Sequence, residues 1–314
     1  MSKQSENHHA EYLASGLFGT TQAAQGRLLV SHDVLQKTVQ EGASYPASAL
    51  AHIELGMLYY EWNQLGKAEE LLQQAVVLAE RSGNVEVCGN AYRNLGLLKQ
   101  TAGKHKEALK LLDEAVKWVG ETAPPLTKGR NAAAYVRVYL AQGNLEAAKR
   151  AAQPMFSVEA SSFYSQLNLV PARIALAEGD KVSAAAYLEA QSKRATEGNW
   201  VYGKIEIRLL QALAALDDPE AVTFLGDALV MSQPEGFIRI FLDKGQALIP
   251  LLHRAASQKI TPDYIQTLLA AFGEEVFPGQ NHSPSVTSLL IERLSERELD
   301  VLRLLSEGKT NQEI

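Results

Sequence analysis

Two stretches of this chain repeat one another at a fixed distance. Leu55, Gly56, Ala68, Leu72 and Ala75 recur as Leu95, Gly96, Ala108, Leu112 and Ala115, each offset by 40 residues. Within a copy the glycine and the first alanine are 12 residues apart, and the second alanine lies seven further on. Small residues at that spacing fall where two antiparallel helices must approach closely, because the distance between packed helix axes is set by the side chains at the crossing. One such helix pair cannot bury its apolar face alone, so the repeat demands a stack in which each pair is covered by its neighbours. The expected fold class is therefore all-α, a helix-pair superhelix or α-solenoid.

Weaker copies extend the stack in both directions. Gly143 precedes Ala148, and Gly179 precedes Ala184, by the same five residues that separate Gly103 from Ala108. Upstream, Gly26, Ser31 and Leu35 fit this frame; downstream, Asp217-Asp218-Pro219 is followed by Ala221, Leu225 and Ala228. About six helix pairs are expected, from residue 12 to residue 231. Pro124 and Pro125 fall between repeats, where a helix should end. Pro171 falls within a predicted helix and either kinks it or delays its start.

The spacing resembles the tetratricopeptide (TPR) motif, which implies a right-handed superhelix with a concave groove lined by the first helix of each pair. Laid over that frame, the groove positions include Ile53, Met57 and Tyr60, then Asn90, Arg93, Leu97 and Gln100, then Arg130 and Arg137, then Gln166 and Arg173. The ligand- or partner-binding candidates among these are Tyr60, Asn90, Arg93, Gln100, Arg130, Arg137, Gln166 and Arg173. Several arginines on one concave surface suit an anionic or hydroxyl-rich ligand, since a guanidinium offers five fixed donors. The competing reading is that they are solvated, or paired with groove carboxylates such as Glu206.

Three further stretches narrow the resemblance. Leu58-Tyr-Tyr-Glu-Trp-Asn-Gln-Leu65 is similar to a segment in the sensor repeats of large MalT-like regulators, departing from it at Gln64, where an acid is more usual. Pro234-Glu-Gly-Phe-Ile-Arg-Ile-Phe-Leu-Asp-Lys-Gly245 resembles the segment that closes the array in that family. Residues 294–314 resemble the opening of a LuxR-type helix-turn-helix through Leu294, Ser295, Arg297, Glu298, Gly308, Asn311, Glu313 and Ile314. There Ser295 and Glu298 form one capping box, Thr310 and Glu313 a second, and Gly308 stands between them. The sequence stops inside that motif. Because the second helix carries the base contacts, no specific DNA binding is expected from the chain by itself. The expected organisation is a disordered N-terminus over 1–11, repeats over 12–231, closing helices over 232–275, a linker over 276–290 and a truncated helix-turn-helix over 291–314.

Composition limits the functions open to the chain. A net charge of -6 argues against these repeats as a nucleic-acid surface, which would need a basic stripe. A lone cysteine, Cys88, excludes an internal disulfide and a cysteine-cluster metal site, and suits a reducing cytosol. No apolar run marks a signal peptide at the start, and none approaches the roughly 20 residues of a membrane span. The pair His8-His9 has no acidic or cysteine partner at ligand spacing, so no metal is expected. The sequence Gly308-Lys309-Thr310 lacks the first glycine of a phosphate-binding loop, with Arg303 in its place. Neither a Gly-x-Ser-x-Gly elbow nor a His-Glu-x-x-His helix is present, so neither catalysis nor a cofactor is expected. The resemblance implies the cytoplasmic sensor part of a bacterial transcription regulator, binding a small effector or a partner in the groove and controlling an attached DNA-binding domain. Self-association is a further expectation. The alternative is a scaffold whose groove holds a peptide segment of another protein.

Overall fold

The computed structural model describes residues 3–153 and 166–273. These belong to a unit spanning Met1–Gly273; a second unit, Glu274–Ile314, lies outside the described residues, and with it the expected linker and helix-turn-helix. No strand occurs among the described residues. Twelve helices come in antiparallel pairs: α1 (Lys3–Ala24) with α2 (Leu28–Glu41), α3 (Ala49–Glu61) with α4 (Leu65–Ser82), and α5 (Val85–Thr101) with α6 (His105–Val119). Then come α7 (Pro125–Ala141) with α8 (Leu145–Ala152), α9 (Val170–Glu178) with α10 (Lys181–Glu197), and α11 (Val201–Ala214) with α12 (Glu220–Ser232). Three shorter helices follow: α13 (Arg239–Leu242), α14 (Ile249–Ser257) and α15 (Pro262–Ala271).

The small residues sit where the repeat placed them. Ala68, Ala75, Ala108 and Ala115 are fully buried. A Cβ on Gly96 would stand 3.1 Å from both the Ala108 carbonyl and the Leu112 side chain, so α5 and α6 touch through their backbones at this point. The first pair uses the same device in degenerate form: Gly19 abuts Leu35, and the buried Ser31 hydroxyl donates to the Gly19 carbonyl at 2.9 Å.

Most turns inside the pairs share one chemistry. In five of the six described pairs the turn holds a residue in the left-handed region, supplied by Gly26, Gly103, Gly143 and Gly179, and in the α3–α4 turn by Asn63 at φ 58°. Asparagine is among the few L-residues that visit this region readily, which is why the second pair lacks the loop glycine. Asn84 caps α5 through the Glu86 and Val87 amides, Asn144 caps α8, and Asp180 caps α10. Pro125 opens α7, and Pro171 stands in the first turn of α9, so it delays the start of that helix and does not kink it.

α1 begins at Lys3, within the stretch expected as an N-terminal end over 1–11. Part of the reason is aromatic: His8 stacks on Tyr12 at 5.9 Å, and the buried Tyr12 packs on Tyr45 at 5.6 Å. Ile53 was placed in the groove, yet it is fully buried inside the repeat core with Ala68 and Leu72.

The array also closes on itself. The largest apolar cluster joins Leu28, Leu35, Leu55, Leu58 and Trp62 from the second and third helices to Leu209, Leu225, Phe237, Phe241 and Leu252 from the far end. The segment after α12 makes the closure. The Ile238 amide donates to the Glu61 carbonyl at 2.8 Å, the Trp62 indole donates to the Glu235 carbonyl at 2.9 Å, and the Leu29 amide donates to the Glu235 carboxylate at 2.9 Å.

Candidate functional site

The closing segment carries polar side chains into the interior formed by α3, α5, α7, α9 and α11. Asp243 is the hub of a first cluster. The Tyr60 hydroxyl donates to its carboxylate at 2.7 Å and lies 2.8 Å from the Thr101 hydroxyl. Arg239 pairs with Asp243 one helical turn away and lies over the Tyr60 ring at 5.6 Å, while Arg137 reaches the same carboxylate at 3.4 Å. Glu206 on α11 is the hub of a second cluster, pairing with Arg173 and, at 2.6 Å, with the Lys244 ammonium.

Electrostatics follows from this burial. Burial acts to raise the Glu206 carboxyl, but Arg173, Lys244 and Arg137 outweigh it and hold the group well below the usual carboxylate range. Burial pushes Lys244 down, against the pull of Glu206. Glu61 differs. Its carboxylate accepts from the Tyr202 hydroxyl at 2.8 Å and no cation pairs with it directly, so burial and then the nearby charge of Asp243 push it up to about 7.

A cavity of about 510 Å³ opens above these clusters. Its charged wall is Arg137, Arg173, Arg239, Asp243 and Lys244, with Tyr60, Gln100 and Thr101 beside them. Its apolar wall is chiefly Leu97, Leu140, Leu176, Leu210, Leu213 and Leu242. The repeat explains the layout, because α5, α7, α9 and α11 each contribute a pair of residues three apart: 97 and 100, 137 and 140, 173 and 176, 210 and 213. Residues three apart share one helix face.

Of the eight residues singled out from the sequence, Tyr60, Gln100, Arg137 and Arg173 line this cavity. Gln100 accepts from the Gln142 amide at 2.9 Å. Asn90, Arg93 and Arg130 do not reach it. They form a separate patch in which Arg93 donates to Asn131 at 3.0 Å and to Asn90, while Arg130 is exposed. There burial, then Arg130, brings Arg93 down to about 10; burial also pushes the half-buried Glu54 up to about 7, against a Thr20 hydrogen bond and both arginines. Gln166 opens a short turn, Gln166–Leu169, and its side chain lies outside the described residues. The competing reading named pairing with groove carboxylates such as Glu206, and Arg173, whose side chain is only 10% exposed, is paired with Glu206.

Sequence reasoning placed Leu97 in the groove but missed the other leucines and the contribution of Arg239, Asp243 and Lys244. The leucines were legible: Leu140 and Leu176 stand at the position of Gln100 in their copies, offset by 40 and 76 residues. The closing segment gave no such signal, since nothing local in residues 235–245 says that they return to α3.

Ser48 and His52 are within 3.3 Å of each other, but both are buried and the serine hydroxyl is engaged with the Gly42 and Tyr45 carbonyls. Among the described residues no group of three or more His, Cys, Asp or Glu could hold a metal ion, and no helix is long and apolar enough to cross a membrane.

Residues 1–258 match the family described as the MalT-like TPR region. No curated protein matches the chain. Among solved structures, a tetratricopeptide repeat protein from Parabacteroides merdae ATCC 43184 is similar at 15% identity, covering 84% of this chain and 100% of its own, with a TM-score of 0.38.

Proposed function

The chain belongs to the MalT-like TPR family, and from that membership and the charged cavity we propose that it is a sensing module, in which a small effector bound at the cavity controls an attached DNA-binding domain. The repeat fold by itself implies a sensor or protein-interaction role. The observation that carries the finer reading is where the cavity sits: repeat side chains Arg137 and Arg173 and closing-segment side chains Arg239 and Lys244 face the same space. A ligand there touches the middle of the array and the closing segment at once. It therefore stabilises the closed arrangement relative to any in which residues 235–245 leave α3, and such differential binding is what a switch requires. The volume falls within the roughly 300–1,000 Å³ of small-molecule sites.

A peptide laid along the groove is the less favoured occupant, because the chain's own segment already crosses the inner faces of α3 and α11. The LuxR-type resemblance of residues 294–314 supplies the proposed output, DNA binding by the complete regulator.

The test is a thermal-shift screen against sugars, sugar phosphates, small acids, nucleotides and short peptides. A ligand at about 100 times its dissociation constant should add roughly 2.7 kcal/mol of stability. The reading requires a hit that is lost in Arg137→Gln or Arg173→Gln and that alters DNA binding by the complete regulator. Hits indifferent to both substitutions, or without effect on DNA binding, refute it.

A further inference from the structure

We propose that the effector of this cavity is an amphiphilic anion, with a carboxylate or phosphate head held at the arginines and an apolar body laid along the leucines. The inference rests on reading the cavity as the effector site, and it names the ligand class.

The charge balance argues for the head. Four cations, Arg137, Arg173, Arg239 and Lys244, line the cavity, and among the described residues the carboxylates paired with them are Asp243 and Glu206. The third acid nearby, Glu61, is hydrogen-bonded to Tyr202 and pushed up to about 7, so near neutrality it carries only part of a negative charge. Among the described residues the wall therefore carries more cations than carboxylates, on side chains that are themselves only 9–23% exposed. Arginine presents a planar fork that suits a carboxylate or phosphate, and a bound anion relieves the mutual repulsion of these cations.

The leucines argue for the body. Leu97, Leu140, Leu176, Leu210, Leu213 and Leu242 come from five helices and converge on the same space. Leu97, Leu140, Leu176 and Leu213 are only half-buried, so they hold apolar surface ready to be covered. A neutral oligosaccharide would want flat aromatic platforms and unoccupied donors. Tyr60 is the aromatic residue in the lining; its hydroxyl is engaged with Asp243 and its face is under Arg239.

Calorimetric titration of the protein tests this, using n-alkanoates from butanoate to decanoate below their micelle concentrations, the matching 1-alkanols, octyl phosphate and a neutral trisaccharide. Affinity for the alkanoates should rise about fourfold per methylene until the leucine wall is covered. The alkanols should bind at least tenfold more weakly than the acids. Leu140→Gln and Leu176→Gln should flatten the chain-length series, read on variants that retain cooperative unfolding. Arg173→Gln should weaken the acids and leave the alkanols unchanged. Comparison of octanoate with octyl phosphate decides between the two heads. A flat series, or equal binding of acids and alcohols, overturns the proposal. If the trisaccharide or another neutral ligand binds in a manner sensitive to Arg173→Gln, the cavity stands as the effector site and the amphiphilic anion falls. If binding of no small molecule responds to Arg173→Gln or Leu176→Gln, both readings fall together.

Discussion

Replacing Glu61 with Gln should stabilise the protein at alkaline pH and do little at acid pH. Glu61 is 6% exposed, and burial together with Asp243 raises its carboxyl from the ordinary 4.5 to about 7 in the folded chain. Between those values the folded state holds a proton that the unfolded state has released. Stability from this group is thus complete below about 4.5 and is lost as pH rises through 7. The difference of about 2.5 pH units, at 1.36 kcal/mol each, sets the loss at about 3 kcal/mol by pH 8. Glutamine has the same shape and still accepts from the Tyr202 hydroxyl, but it never ionises. Urea unfolding of parent and variant at pH 5, 6, 7 and 8 reads the effect. Glu54 titrates in the same window and shapes both curves, so the diagnostic quantity is the gap between the two proteins. That gap should be under about 1 kcal/mol at pH 5 and should open to about 3 kcal/mol by pH 8, with the variant the more stable. A gap that does not change with pH refutes the argument, and a gap that closes at high pH reverses its sign.

Substitutions at three other positions test separate parts of the fold by the same unfolding measurement. Trp62→Phe removes the indole donor from the Glu235 carbonyl at the closure and should cost about 1–3 kcal/mol, with faster proteolysis between residues 233 and 245; unchanged protection would mean that this bond does not hold the segment. Gly203→Ala puts a methyl group 2.1 Å from the buried Trp200 ring, which must shift, and a loss of about 1–3 kcal/mol is expected. Asn84→Ala deletes the cap of α5 and should cost about 1 kcal/mol, while Asn84→Ser should restore most of it.

Much of the fold was legible because it is written in short-range spacing. Glycine and alanine at fixed intervals mark where paired helices touch, and those residues are among the most completely buried in the chain. Asn63 in place of a loop glycine, and Ser31 in place of an alanine, are local substitutions by residues that do the same physical job. The site was legible by half. Arg137 and Arg173 occupy the same place in successive copies, so the frame that located one located the other. Arg93 is four residues before Leu97 in its own copy, one turn away along α5, and that turn is enough to put it in a different patch. What could not be read is the return of residues 235–245 to α3. The Ile238–Glu61 hydrogen bond joins residues 177 apart in sequence, and its partners are main-chain atoms that every residue possesses.

That return changes what the arginines mean. In an open array, groove arginines would sit in water and bind an anion only weakly, since exposed ion pairs contribute at most about 1 kcal/mol. Closure brings Asp243, Arg239 and Lys244 against them and leaves side chains only 9–23% exposed among Arg137, Arg173, Arg239 and Lys244. A charge-assisted hydrogen bond in such a place contributes about 1.5–3 kcal/mol. Moving a two-state equilibrium from 1:99 to 99:1 needs about 5.5 kcal/mol of differential binding. Two to four such bonds, made only when the closing segment is seated, reach that figure, so under the proposed reading an anion bridging Arg137 or Arg173 to Arg239 or Lys244 would favour the closed arrangement by an amount of the size a switch requires.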